Sequence, residues 1–192
     1  GDHPDIEEFI RWKAVEEEKV AALVAGSRAL AHHVPKIIAA CWAIDGDDRC
    51  DPRKNETLKA AVKAAKKDFV TEASIRRAIE LARAGARSAQ VDRYDLDWDG
   101  EAYRTVSGQN SNNSVRLTDA FFETLERGGD WTLTRRTDGA PAKTVKARKL
   151  WDAIAETAWR CADPGLQFHD TTNAWHTCPA GGAIRASNPC SE

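Results

Sequence analysis

What the chain lacks narrows it before what it has. It contains no methionine, and Gly1-Asp2-His3-Pro4 offers neither a basic n-region nor an apolar h-region, so no secretory leader is read at its start. No uninterrupted apolar run reaches the length of a membrane-spanning helix. Charge of one sign is not in excess: 28 Lys and Arg face 30 Asp and Glu, a formal net charge of -2. Such a balance creates no field that would recruit nucleic acid or an acidic membrane surface, so a phosphate-bearing ligand needs a local site. A cysteine framework is missing too. Five cysteines, at 41, 50, 161, 178 and 190, are odd in number and irregular in spacing, which argues for reduced thiols in the cytoplasm.

With 42% hydrophobic and 30% charged residues in 192, the chain suffices for one domain with a real core or for part of a larger one. Its last residue, Glu192, follows a dense cluster of polar and special-geometry residues, and an end in mid-motif is expected of a truncated reading.

The N-terminal third reads as helix, and residues 19–90 are expected to form a helical block. Asp5 can cap a segment with Ile6, Phe9 and Ile10 on one face and Glu7 and Glu8 in the first turn, where the helix dipole favours anions. The pattern continues from Glu16 to Val24, Gly26-Ser27 is expected to interrupt it, and Pro35 is expected in the first turn of a new helix, Lys36 to Trp42. Leu58 to Lys67 follows Pro52, and Thr71 is placed to cap Glu72 to Ala84 with Gly85 as its stop. From about Tyr94 short runs replace long helices. Glu101 to Val106 reads as a strand feeding the polar loop 107–114, and Val115-Arg116-Leu117 follows. Thr118 caps a helix ending at Gly128-Gly129, and Trp131 to Thr134 alternates as a strand. Asp138-Gly139 turns the chain before Lys143 to Val145. Ala147 to Ala162 carries Leu150, Trp151, Ile154, Ala158 and Cys161 on one helical stripe, and Leu166-Gln167-Phe168 reads as a short strand.

The chemistry-bearing residues gather at the end. Asn188, Cys190 and Glu192 alternate, so an extended segment would place an amide, a thiol and a carboxylate on one face. Pro189 favours that conformation by steering Asn188 away from helix. The plain alternative is a free cysteine in a proline-containing loop. A second polar stretch, Gln109-Asn110-Ser111-Asn112-Asn113, can read base edges through amides that donate and accept, or can settle a turn. Cys161, His169, His176 and Cys178 are zinc-ligand types, but their spacing is irregular and Cys161 lies on an apolar stripe, so no metal site is assigned. Cys41 and Cys50 flank a polar turn, and His32-His33 reads as part of a solvated helix face. The Lys- and Ala-rich run 58–67 has no interleaved aromatics for base stacking.

Ser187-Asn188-Pro189-Cys190-Ser191-Glu192 resembles the active-site sequence of adenosylcobalamin-dependent (class II) ribonucleotide reductases. So do Cys161-Ala162-Asp163-Pro164-Gly165-Leu166-Gln167-Phe168, Trp175-His176-Thr177-Cys178-Pro179, the run from Ser107 to Arg116, and Asp2-His3-Pro4 through Ile10. These segments occur in the family's order and cover most of the chain, most weakly at 45–90.

The resemblance implies roles residue by residue. Cys190 would hold a transient thiyl radical that abstracts the ribose 3′ hydrogen, Glu192 would take the 3′ hydroxyl proton, and Asn188 would hold the ribose hydroxyls. Pro189 and Ser191 complete the substrate-binding stretch. The radical would come from homolysis of the cobalt–carbon bond of adenosylcobalamin. Gln109, Asn110, Ser111, Asn112, Asn113 and Arg116 would form a specificity loop between an allosteric nucleotide site and the substrate base. Expected partners are a ribonucleotide, with diphosphate favoured, dNTP or ATP effectors and a thioredoxin-like reductant, while a homodimer is left open. Two reducing cysteines would lie outside these residues, since none of Cys41, Cys50, Cys161 or Cys178 matches their motifs; Cys178 could line the substrate cavity. The expected fold is α/β, a helix-rich piece of a ten-stranded α/β barrel, divided as barrel helix (1–18), helical insertion (19–93) and partial barrel ending on the finger loop (94–192). By itself such a piece would be silent. The contrasting reading is a non-catalytic nucleotide-binding or zinc-stabilised module with a structural Cys190.

Overall fold

The computed structural model describes residues 1–188. In chain order the helices are α1 (Ile6–Cys41), α2 (Glu56–Lys67), α3 (Glu72–Arg83), α4 (Glu101–Arg104), α5 (Asp119–Glu126), α6 (Ala147–Cys161) and α7 (His169–Ala174). The strands are β1 (Ser114–Leu117), β2 (Asp130–Thr134), β3 (Pro141–Lys146) and β4 (Gly165–Phe168), and single 3-10 turns lie at Asp47–Cys50 and Pro179–Gly181. Contacts divide the chain into two units: Gly1–Glu18 with Ser107–Glu192, and Lys19–Val106. Helix α1 contributes to both.

The first unit is mixed α/β. β1 and β4 pair in parallel, with Arg116 opposite Gln167, and β2 and β3 form an antiparallel hairpin. A parallel pair needs a crossover, and here α5, the hairpin and α6 supply it. Val115 and Leu117 alternate inward from β1 to join Ile6, Ile10, Phe121, Leu133, Leu150 and Ile154 in one core. Among the described residues each sheet has two strands and no barrel closes.

The second unit is helical. Val34, Ile37, Ile38 and Cys41 of α1 pack on Leu58 and Ala65 of α2 and on Ile75, Ala78 and Ala82 of α3. Asn55 is its polar hub, 1% exposed. Its carbonyl oxygen accepts from the Leu58 amide at 3.0 Å and caps α2, while its amide nitrogen donates at 2.8 Å to both the Ala40 and Arg49 carbonyls.

Several sequence expectations need correction. α1 does not break at Gly26-Ser27 or restart at Pro35. The Ser27 hydroxyl donates to the Val24 carbonyl and accepts from the Tyr94 amide, so it ties α1 to the chain's later course. The burial of Val34, Ile37 and Ile38 around Pro35 outweighs the roughly 3 kcal/mol that an interior proline costs a helix. Residues 101–106 are not a strand. Glu101–Arg104 is a helical turn, and Ala102, Tyr103 and Val106 pack on Val20, Leu23 and Val24 with Tyr94, which puts 94–106 in the helical unit. His33 is not solvated either: it is 4% exposed and its Nε2 lies 2.7 Å from the Asp68 carboxylate. That bond and the nearby imidazole hold the Asp68 carboxyl below the usual carboxylate range.

Replacing Asn55 with Ala should cost about 2–4 kcal/mol in urea unfolding, since a cap is lost and two carbonyls lose their donor. Thr71→Ala, which removes an exposed cap from α3, should cost about 1 kcal/mol. Equal losses at the two caps would show that Asn55 acts as a cap alone.

Candidate active-site segment and loop

Residues 107–113 form an irregular loop fixed by side chains that α1 presents on one face, Trp12, Lys13 and Glu16. The Glu16 carboxylate, on a residue 5% exposed, accepts from the Ser107 amide at 3.0 Å. The Lys13 ammonium donates to the Ser111 carbonyl at 3.2 Å and lies 2.9 Å from the Asp163 carboxylate, with both charged side chains largely buried. Such burial leaves the pair little screened by solvent. Gly108 takes φ +70, and a Cβ there would sit 3.3 Å from the Ser111 hydroxyl and 3.4 Å from the Trp12 ring. The loop exits into β1 where the Gly165 amide donates to the Asn113 carbonyl at 2.8 Å, which extends the β1–β4 pairing by one bond.

Within that frame Gln109 is half-buried and Asn110 and Asn112 are exposed. The Gln109 amide nitrogen is shut off from solvent without a hydrogen-bond acceptor, an arrangement proteins rarely leave standing. Arg116 points away from the core, because Val115 and Leu117 take the inward positions of β1. The register puts it directly across from Gln167, whose side-chain oxygen accepts from its guanidinium at 2.7 Å. A second guanidinium nitrogen donates to the Ile184 carbonyl at 3.3 Å.

Ile184 belongs to the segment without regular secondary structure that leads toward Asn188. On its other side the Asn173 carboxamide from α7 accepts from the Ile184 amide at 2.8 Å and donates to its carbonyl at 3.1 Å. His176 Nδ1 accepts from the Cys178 amide, so Nε2 carries the proton and donates to the Gly182 carbonyl at 3.1 Å. Asn188 is exposed. Pro189, Cys190, Ser191 and Glu192 lie outside the described residues.

The structure thus joins Arg116 to the approach of the terminal motif and anchors Ser111 and Asn113 at the loop's far end. Sequence reading missed Lys13, Glu16, Gln167 and Asn173. Asp163 and Gln167 stood inside a segment quoted for its resemblance, which was the available signal for them. Lys13, Glu16 and Asn173 carry no local one. Among the described residues no group of three or more His, Cys, Asp or Glu could hold a metal ion, and no helix is long and apolar enough to cross a membrane.

The profile of the ribonucleotide reductase barrel domain matches residues 1–192. The chain therefore belongs to the ribonucleotide reductase family, as part of its barrel domain. Within that family it is 55% identical over 194 residues to the vitamin B12-dependent ribonucleotide reductase of Agrobacterium fabrum and 53% identical over 193 residues to that of Bradyrhizobium diazoefficiens. Each alignment takes in 100% of this chain and 15% of the relative, so the chain spans about 15% of those relatives' length. A vitamin B12-dependent ribonucleoside-diphosphate reductase from Thermoplasma acidophilum is 41% identical over 83 residues, 43% of this chain and 11% of that protein.

The described thiols differ sharply in access. Cys178 is exposed, Cys161 is half-buried with its Sγ 3.3 Å from the Thr157 carbonyl, and Cys41 and Cys50 are buried. Burial, reinforced by the adjacent Cys50 thiol, pushes the Cys41 thiol up to about 12. Alkylation of folded protein at pH 8, read by peptide mass spectrometry, should mark Cys178 within minutes and leave Cys41 and Cys50 unmodified until denaturant is added. Early modification of Cys41 would contradict its packing.

Proposed function

We propose that this chain is the part of an adenosylcobalamin-dependent ribonucleotide reductase that carries the radical cysteine and the specificity loop. The observation that carries this reading is a family match along the whole chain that includes the Asn188-Pro189-Cys190-Ser191-Glu192 motif. The two relatives that align with the entire chain bear the name vitamin B12-dependent, which supports the cofactor.

In this reading Cys190 acts as a thiyl radical. An S–H bond forms as the ribose C3′–H bond breaks, and the comparable strengths of the two bonds let the step run in both directions. Glu192 takes the proton of the 3′ hydroxyl, which assists departure of the 2′ hydroxyl as water, and Asn188 holds the ribose hydroxyls. Two thiols elsewhere in the complete enzyme give one proton to the departing 2′ hydroxyl and one hydrogen atom to C2′, and become a disulfide as the remaining electron, with the proton held by Glu192, reduces the 3′ ketone; a thioredoxin-like protein then reduces the disulfide. Cys190 then returns the 3′ hydrogen. Adenosylcobalamin, when bound, supplies the initiating radical. No described residue is assigned to the corrin.

The complete enzyme would surround these residues with a ten-stranded α/β barrel in which the terminal motif forms the finger loop. Residues 1–18 would be a barrel helix, 19–93 a helical insertion and 94–192 partial barrel. Ribonucleoside diphosphates are the proposed substrates, supported by the name of the Thermoplasma relative. The proposed setting is the cytoplasm, where reduced thiols persist.

Residues 109–113 are proposed as the specificity loop, read by dNTP or ATP effectors. The sequestered Gln109 amide supports this, because it has a donor to spend on a base edge. Arg116 spends one donor of each Nη on Ile184 and Gln167, so the donors left for substrate or effector are the second hydrogen of each Nη and the Nε, which is buried without an acceptor.

In the complete reductase, Cys190→Ser should abolish deoxyribonucleotide formation while nucleotide binding, followed by equilibrium titration, stays within about twofold. Turnover near the unmutated rate would remove the radical role. Gln109→Ala or Asn110→Ala should instead change which effector favours which substrate, measured as the ratio of kcat/KM for two ribonucleotides under each effector. An unchanged ratio would refute the loop assignment.

A further inference from the structure

We propose that Asn173 is a positioning residue for the catalytic segment, and that it sets where the chain enters the stretch bearing Cys190. The inference rests on the thiyl-radical reading above. Its basis is the bonding of one carboxamide. Asn173 sits in α7, half-buried, and its Nδ2 donates to the His169 carbonyl at 2.9 Å, one helical turn back, as well as to the Ile184 carbonyl at 3.1 Å. Its Oδ1 accepts from the Ile184 amide at 2.8 Å. The side chain therefore reproduces the paired N–H and C=O exchange of a neighbouring strand, and it does so for a single residue of the segment.

Ile184 precedes Cys190 by six positions. Between Ser114–Leu117 on one side and α7 on the other, its carbonyl receives two donors, from Asn173 and from Arg116. Arg116 is itself locked by Gln167 in the neighbouring strand. His176 adds a third fixed point at the Gly182 carbonyl. The bonds from Asn173, Arg116 and His176 all reach backbone atoms of the segment, and they fix its path at Gly182 and Ile184. A radical transfer demands a donor and an acceptor within a narrow range of distance and angle, and a displacement of about 1 Å can cost about 10²-fold in rate. Asparagine suits this task because it offers both a donor and an acceptor in one plane. Aspartate would keep the acceptor for the Ile184 amide but would oppose an oxygen to the His169 and Ile184 carbonyls.

The test uses the complete reductase with Asn173→Ala and Asn173→Asp, alongside Cys190→Ser. Both Asn173 variants should lose about 10²-fold in kcat with KM for the ribonucleotide within about twofold. In Asn173→Ala, hydrogen exchange of the Ile184 amide should accelerate by at least about tenfold while the amides of α6 keep their protection. If Asn173→Ala folds poorly, Asn173→Asp, which keeps the bond to the Ile184 amide and loses the donor to the Ile184 carbonyl, carries the kcat arm, and its Ile184 amide should stay protected. An unchanged kcat in a folded variant overturns the proposal. So does a loss of kcat accompanied by exchange that rises equally throughout the unit, since that would mark a merely structural role. Turnover surviving in Cys190→Ser refutes the radical reading instead, and the exchange arm still decides whether Asn173 holds the segment.

Discussion

The parallel pairing of Ser114–Leu117 with Gly165–Phe168 is the constraint on which the first unit depends. It brings together residues about fifty positions apart in sequence and fixes which side chains share a face. Once Val115 and Leu117 turn inward, Arg116 must face the other way and meet Gln167. The same pairing brings the polar loop that enters the first strand alongside Asp163 at the end of α6, where Lys13 can bridge them. Loop, strand pair and terminal segment are thus held by one short ladder whose hydrogen bonds are few but whose register is unambiguous.

Charge is used sparingly and indoors in this unit. Lys13, Glu16 and Asp163 are each withdrawn from solvent, and each is spent on loop backbone or on another of the three. Surface ion pairs, by contrast, join Arg136 to Asp2, Lys143 to Glu7 and Arg160 to Glu18 at the margins, where solvent screening leaves each worth little. The helical unit adopts the opposite economy. Its core is mostly aliphatic, and its buried polar side chains are those of Ser27, His33 and Asn55; the three bonds of Asn55 close the turn between α1 and α2.

Most element types were legible in the sequence because local signals and tertiary packing agree. Thr71 and Thr118 cap where their hydroxyls predict, and Gly85 and Gly128 end helices with the positive φ that only glycine adopts without strain. The failures have a shared cause. Phe69 ends α2 in the same left-handed conformation with no glycine to announce it; the buried Val70, whose amide reaches back to the Ala65 carbonyl, supplies the reason. Pro35 and Ser27 read as breaks, yet burial around one and hydrogen bonding by the other keep α1 whole. The candidate site was legible as motifs and illegible as supports, since Lys13, Glu16 and Asn173 owe their roles to partners some ten to a hundred positions distant in sequence, which no local pattern encodes.

A clamp made by Asn173 and Arg116 on main-chain atoms has a consequence for what the held segment may contain. Neither residue touches the Ile184 side chain through these bonds, so the grip is indifferent to the identity of what it holds. Gly182 still needs to be glycine for its φ of +101, but residues 183–187 are released from the task of specifying their own path. Their side chains can be chosen for what they meet, and the approach to Cys190 can be retuned without loosening its mooring.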